Sequence, residues 1–181
     1  NVAYEDEAQV AALAADLPAV FENGRILLSG NDVSEAIRSE EMSSGSSKVA
    51  ALPAVRAALL ARQRAYQRWP GLVADGRDMG SVVFPLAQPK IFLTASVEAR
   101  AERRYKQLIS KGVAANIATL LQDLRERDER DASRSVAPLQ KGADALLLDT
   151  TDMTIEQAVE TVLAWAREGA ASSSNGIASK R

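Results

Sequence analysis

The order of apolar and helix-patterned stretches predicts an α/β fold built on a parallel sheet. Short apolar runs at 72–74 (LVA), 90–95 (KIFLTA) and 145–149 (ALLLD) read as buried strands. Between and after them lie long amphipathic stretches, and strands alternating with helices favour parallel pairing. The helical stretches also carry start and stop chemistry at their ends, so the two signals agree.

Taken in order, residues 5–16 (EDEAQVAALAAD) form a short amphipathic helix that Leu17-Pro18 ends. Asn23-Gly24 separates the apolar runs 19–22 and 25–29, the strongest short hairpin signal. Gly30-Asn31-Asp32 is a further turn. The polar, Ser-rich stretch 31–48 reads as a loop with one helical turn near 33–37. Pro53 suits the first turn of a helix over 54–69, closed by Pro70. The strand at 72–74 opens into Asp75-Gly76-Arg77-Asp78, and the strand at 90–95 leads into a helix over 97–111 that Gly112 ends. Asn116 caps a helix over 117–134, and Thr154-x-x-Gln157 is a capping box for a last helix to about Glu168. Residues 169–181, rich in Ser and Ala, read as a disordered tail.

Composition narrows the chemistry. The chain has 181 residues, enough for one compact domain with a small lobe attached. It contains no cysteine, which excludes disulfides, thiolate nucleophiles and Cys-ligated zinc. It contains no histidine, which excludes Ser-His-Asp catalysis and imidazole bases. A net charge of −2 gives no basic field for a nucleic-acid polymer. No apolar run is long enough to span a membrane and no signal peptide opens the sequence, so the cytoplasm is the expected location. Of the 22 basic residues 16 are Arg, and a guanidinium fork matches phosphate or carboxylate oxygens in pairs. GC-rich codon usage accounts for the same skew.

Two segments could carry chemistry. In DGRDMGSVVFP (75–85), glycines permit close backbone approach and charged groups suit a polar ligand at a strand's carboxyl end. A salt-bridged turn is the plainer alternative. In LRERDERDASR (124–134), Arg127, Arg130, Asp131 and Arg134 share one helical face, where the guanidiniums repel unless anions face them. Here the alternative is a solvated helix laced with Asp123–Arg127, Glu126–Arg130 and Arg127–Asp131 pairs.

These segments, with GNDVSEAIRSEE, SSKVAALPAVRAALLARQRAY, RAERRYKQL and ADALLLDTTDMTIEQAV, resemble the bacterial cytidylate kinases over residues 1–168. The resemblance implies a P-loop-kinase-like three-layer α/β core. It also implies an NMP-binding insert around 19–69 and a helical lid around 112–135. It implies transfer of the γ-phosphoryl group of Mg-ATP to CMP or dCMP by a monomer. Ser47, Arg56 and Asp78 would read the cytosine, and Arg127 and Asp131 the ribose hydroxyls. Arg77 and Arg134 would contact phosphate, and Arg130 would be a lid arginine facing ATP. Arg77, Arg127, Arg130 and Arg134 would then form the catalytic set, with Mg2+ carried by the nucleotide and no protein metal site.

The sequence departs from that family in one respect. No stretch fits the phosphate-binding pattern G-x-x-x-x-G-K-[ST]. Gly45-Ser-Ser-Lys48 has the wrong spacing and no strand before it. By alignment, Asn1 falls about fifty residues into the family pattern, where strand, loop and helix should come first. Residues 1–181 alone are therefore expected to be inactive and poorly stable, with a sheet edge left open. Three accounts stay open: residues preceding Asn1 in the molecule, a shortened chain, or a relative that binds CMP without kinase activity. A structural relative whose arginines are only a solvated face is a further possibility.

Overall fold

The computed structural model describes residues 2–133 and 139–178, the stretch 170–178 as backbone only. It divides into two compact units, Asn1–Ala74 and Asp75–Arg181.

In the first unit, α1 (Glu7–Ala15) starts at Asp6, whose carboxylate accepts the Gln9 amide at 3.0 Å. Strands β1 (Ala19–Glu22) and β2 (Arg25–Leu28) form the antiparallel hairpin expected from Asn23-Gly24. Both turn residues take positive φ, 50° and 72°, which matches the right-handed strand twist. Ser29 and Gly30 repeat that geometry, with φ of 50° and 80°. The turn read at Gly30 thus closes a second hairpin onto β3 (Asn31–Asp32).

The Ser-rich stretch is more ordered than its composition suggests. A 3-10 turn at Ala36–Arg38 precedes α2 (Glu40–Val49), so the reading of 31–48 as mainly loop is corrected. Ser39 caps α2 by accepting the Met42 amide at 3.2 Å, Glu40 and Glu41 sit in its first turn, and Lys48 in its last. Charges so placed oppose the helix dipole and offset the weak propensity of the serines. Pro53 opens α3 (Pro53–Ala65). The helix ends at Ala65, short of the expected Trp69, and Trp69 itself precedes a proline, which disfavours the helical region there. Buried Val55 and Ala14 mark where α3 meets α1.

The predicted strand at 72–74 is absent. Residues 71–75 have no regular structure, and Val73 is 99% exposed. A strand is held by its ladder partners, and among the described residues none pairs with this run.

In the second unit a single π-helical turn over Met79–Val83 follows Asp78. Strand β4 (Ile91–Thr94) leads into α4 (Val97–Ser110), capped by Ser96 through the Ala99 amide at 3.2 Å. Gly112, at φ 73°, takes the left-handed position just past α4. Helix α5 (Ile117–Ser133) begins at Asn116, whose side chain accepts the Ala118 amide at 2.8 Å. Strand β5 (Leu146–Asp149) pairs with β4 in parallel, Ile91 opposite Leu146 and Thr94 opposite Asp149. The chain is therefore α/β with a parallel pair, but among the described residues the sheet has two strands where three were expected. Val83, Ala101, Leu120 and Leu148 are buried, whereas Leu93 and Leu147 are more than half exposed.

The last helix, α6 (Ile155–Ala178), continues past Glu168 into the stretch read as a disordered tail. Gly169 lowers helix propensity by about 1 kcal/mol but, unlike proline, carries a backbone N–H donor. With no proline after Glu168, nothing removes a donor from the ladder. The capping box read in the sequence is present: Thr154 N donates to Gln157 Oε1 at 2.9 Å and Gln157 N donates to Thr154 Oγ1 at 3.2 Å. Thr154→Ala should lower stability by about 1 kcal/mol, read as an earlier urea midpoint with unchanged slope.

Candidate functional site

Two of the expected site residues of the second unit, Arg77 and Arg127, approach one buried carboxylate. Asp131, on α5, is 1% exposed. Arg77 Nε donates to its Oδ2 at 2.8 Å, and Arg127 Nε, one turn earlier on the same helix, stands 4.0 Å from the same oxygen. A carboxylate at that depth is costly unless cations and donors face it. The pairing joins the 75–78 loop to α5 across 54 positions of sequence.

Asp78 follows at the loop's end, 9% exposed. Its carbonyl accepts the amides of Val82 at 2.9 Å and Val83 at 3.2 Å, and this doubled acceptance opens the π-helical turn. Gly76 matters for a local reason. A Cβ there would lie 2.9 Å from the Met79 side chain, so the loop and the turn close on each other through a glycine.

Not every expected residue joins this cluster. Arg130 lies on α5 with Glu126 3.9 Å away, both about half exposed, as the solvated-helix reading describes. Arg134 lies outside the described residues. Ser47 and Arg56 belong to the first unit. Ser47 is buried near the end of α2, and the Arg56 guanidinium donates to the Ala50 carbonyl at 3.3 Å, at the end of that helix. Among the described residues no three acidic side chains converge as a metal-holding group. No helix of the described residues is long and apolar enough to cross a membrane.

Two arginines of α4 were not singled out from sequence. Arg100 grips Asp128 of α5 with both terminal nitrogens, at 2.9 and 2.5 Å. The Asp128 hydrogen bonds hold the Arg100 pKa above its ordinary value against the opposing effect of partial burial. Arg103 donates to the carbonyls of Thr150, Thr151 (3.2 Å) and Met153 (3.4 Å), bracing the loop that leaves β5. The loop after β4 is tied to the same place, because Ser96 N donates to Thr151 Oγ1 at 2.9 Å. Asp149 accepts from the Thr151 hydroxyl and amide, which holds its carboxyl below the usual range. The available signal was the Arg100-x-x-Arg103 spacing, which puts both guanidiniums on one side of a helix that starts at a strand's carboxyl end.

A parallel strand pair, braced loops at its carboxyl ends and an arginine-flanked buried carboxylate suit a phosphate- and hydroxyl-bearing ligand. Comparison with known proteins gives the family. The cytidylate kinase family profile matches residues 1–168. The chain belongs to the cytidylate kinase family. The cytidylate kinase of Chromobacterium violaceum is 60% identical over 172 residues, covering 95% of this chain and 78% of that protein. Those of Paraburkholderia phymatum and Aeromonas salmonicida are 56% and 53% identical, covering 73% and 75% of their own lengths. The family places the α/β fold among the P-loop-like nucleoside monophosphate kinases, which are phosphotransferases.

Because Arg77 is 39% exposed and can turn to water, breaking its bond to Asp131 should cost less than breaking a fully buried pair. Asp131→Ala is expected to lower unfolding free energy by about 2 kcal/mol, measured by urea denaturation.

Proposed function

We propose that this chain supplies the nucleotide-monophosphate side of a cytidylate kinase and, in an intact active site, transfers the γ-phosphoryl group of ATP to CMP or dCMP. The observation that carries the reading is the approach of Arg77 and Arg127 to buried Asp131. Guanidiniums so held can meet phosphate oxygens, while a fixed carboxylate can accept from ribose hydroxyls. Residues 1–168 would act as one kinase domain in a cytoplasmic monomer, with 19–69 as the NMP-binding insert and 112–135 as the lid.

Arg127 and Asp131 would hold the ribose hydroxyls, and Arg77 and Arg134 the phosphate. Ser47, Arg56 and Asp78 would read the base, since an acceptor carboxylate beside an arginine donor suits cytosine and leaves a carbonyl clash for uracil. In the reaction a phosphate oxygen of CMP bonds to the γ-phosphorus of ATP as the bond to the bridging oxygen breaks, releasing ADP. Arg130 would neutralise charge on the ATP side. Magnesium enters with ATP as part of the substrate. The protein's share is orientation and charge neutralisation, which needs neither histidine nor cysteine.

The stretch G-x-x-x-x-G-K-[ST], which holds ATP phosphates in such kinases, does not occur within these 181 residues. Residues 1–181 by themselves should therefore form no CDP in a coupled ADP assay. Joined to the segment that precedes the matched region in a family relative, they should turn over. CDP formation by the 181 residues alone would show that ATP phosphates are held elsewhere. Failure of the joined protein, with CMP binding retained, would favour CMP binding without transfer.

Two further outcomes test the site. Asp78→Ala should weaken CMP binding and reduce preference over UMP by about 1–3 kcal/mol in isothermal titration. Unchanged affinity and preference would remove Asp78 from the base site. If α5 belongs to a lid, residues 112–135 should exchange amide hydrogens more slowly with CMP and ATP bound than without. Equal protection would leave α5 a fixed wall.

A further inference from the structure

The charge run on α5 contains two carboxylates that reach other elements. Asp131 meets Arg77 on the 75–78 loop, and Asp128 meets Arg100 on α4. The two lie three residues apart, roughly 60° around the helix, so one face of α5 is fixed to the loop while the neighbouring face is fixed to α4. The Arg100 contact is a fork-to-fork pair, which constrains angle as well as distance. The two partners are 32% and 40% exposed, so it is not a fully solvated surface bridge. A looser bond, Arg125 to Glu98 at 3.1 Å, joins the same two helices one turn earlier on α5. Helix α4 is itself anchored, through its Ser96 cap and Arg103, to the loops at the carboxyl ends of β4 and β5.

From this chain of contacts we infer that Arg100 and Asp128 are a positioning pair for the nucleotide site. Their bridge refers the angle of α5 to the strand ends and so holds Arg127 and Asp131 where Arg77 meets them. Neither residue touches the nucleotide. The inference rests on the proposed role of Arg127 and Asp131 at the ribose, and it predicts a selective defect. Losing the bridge should weaken recognition of the ribose more than base selection, because Ser47, Arg56 and Asp78 are not on α5.

The test is isothermal titration of the 181-residue chain with CMP, its 2′,3′-dideoxy analogue and UMP, below the unfolding transition of each variant. Asp128→Asn should bind CMP about tenfold more weakly, with the CMP advantage over the dideoxy analogue reduced by a larger factor than the CMP-to-UMP ratio. Arg100→Lys, which keeps the charge but not the fork, should fall between wild type and Asp128→Asn, and it serves as the test if Asp128→Asn does not fold. Combining Arg100→Asp with Asp128→Arg should restore affinity to within about threefold of wild type. Wild-type affinity and ribose dependence in the single variants, or equal loss of ribose and base selectivity, would overturn the inference. So would a double variant no better than the singles. Absence of CMP binding by the wild-type chain would instead bring down the nucleotide assignment, and this inference with it.

Discussion

The second unit depends on a carboxylate that water barely reaches. Asp131 is 1% exposed, and Arg77 meets it from a loop far away in sequence. A buried charge left alone would neutralise or unfold its surroundings, so the loop and α5 must come together for either to keep its shape. Other charged contacts extend outward from it. Asp128 carries the constraint from α5 to α4 through Arg100, and Arg103 carries it from α4 to the loop after β5. Among the described residues of this unit the buried apolar ones are few and mostly small or medium in size: Val83, Ala101, Leu120 and Leu148. Hydrophobic burial holds the unit together without direction, while the arginine contacts fix the angles.

Arginine suits these joints for a geometric reason. Arg100 offers two parallel donors to Asp128, and Arg103 spreads its donors over carbonyls of one loop. A lysine could supply charge at either place, but its three donors radiate from a point and do not fix a plane. The excess of Arg over Lys in the chain therefore has structural uses beyond any ligand. Codon usage can supply arginines, but it does not explain why these two sit a helical turn apart with partners on different elements.

Much of the secondary structure was legible where local chemistry is decisive. Asn23-Gly24, Asn116 and the Thr154–Gln157 box each did what their residue types dictate, because caps and two-residue turns are settled within four or five residues. The reading failed where local chemistry was weighed wrongly or could not decide. Helix α2 was hidden by its serines, although Ser39 before two glutamates is a start signal in plain view. The run at 72–74 has strand composition, yet a strand needs a neighbour, and composition cannot say whether one is present. At the site, the Arg127–Asp131 spacing was readable as a helical face, but the arrival of Arg77 from 54 residues away was not. Arg100 and Arg103 escaped notice because helix-surface arginines ordinarily face water, and only their partners distinguish them.

A fixed arginine has a consequence for binding. Ordering a long side chain around a ligand opposes affinity, and Arg carries much rotamer freedom. Arg77 has lost part of that freedom to Asp131 before any nucleotide arrives, and Asp128 has done the same for Arg100. Under the proposed reading the ordering is met during folding and need not be repeated when phosphate binds. Asp131 then serves two ends with one carboxylate: it makes the loop and α5 interdependent, and it presents a guanidinium already aimed. The opposing term is electrostatic, since a carboxylate beside the arginines weakens their pull on an anion. The balance favours the arrangement when the ligand brings hydroxyls for the carboxylate as well as phosphate for the guanidiniums, as a ribose monophosphate does. A bare phosphate would meet the repulsion without the compensating bonds, so the same geometry that orders the site also selects against it.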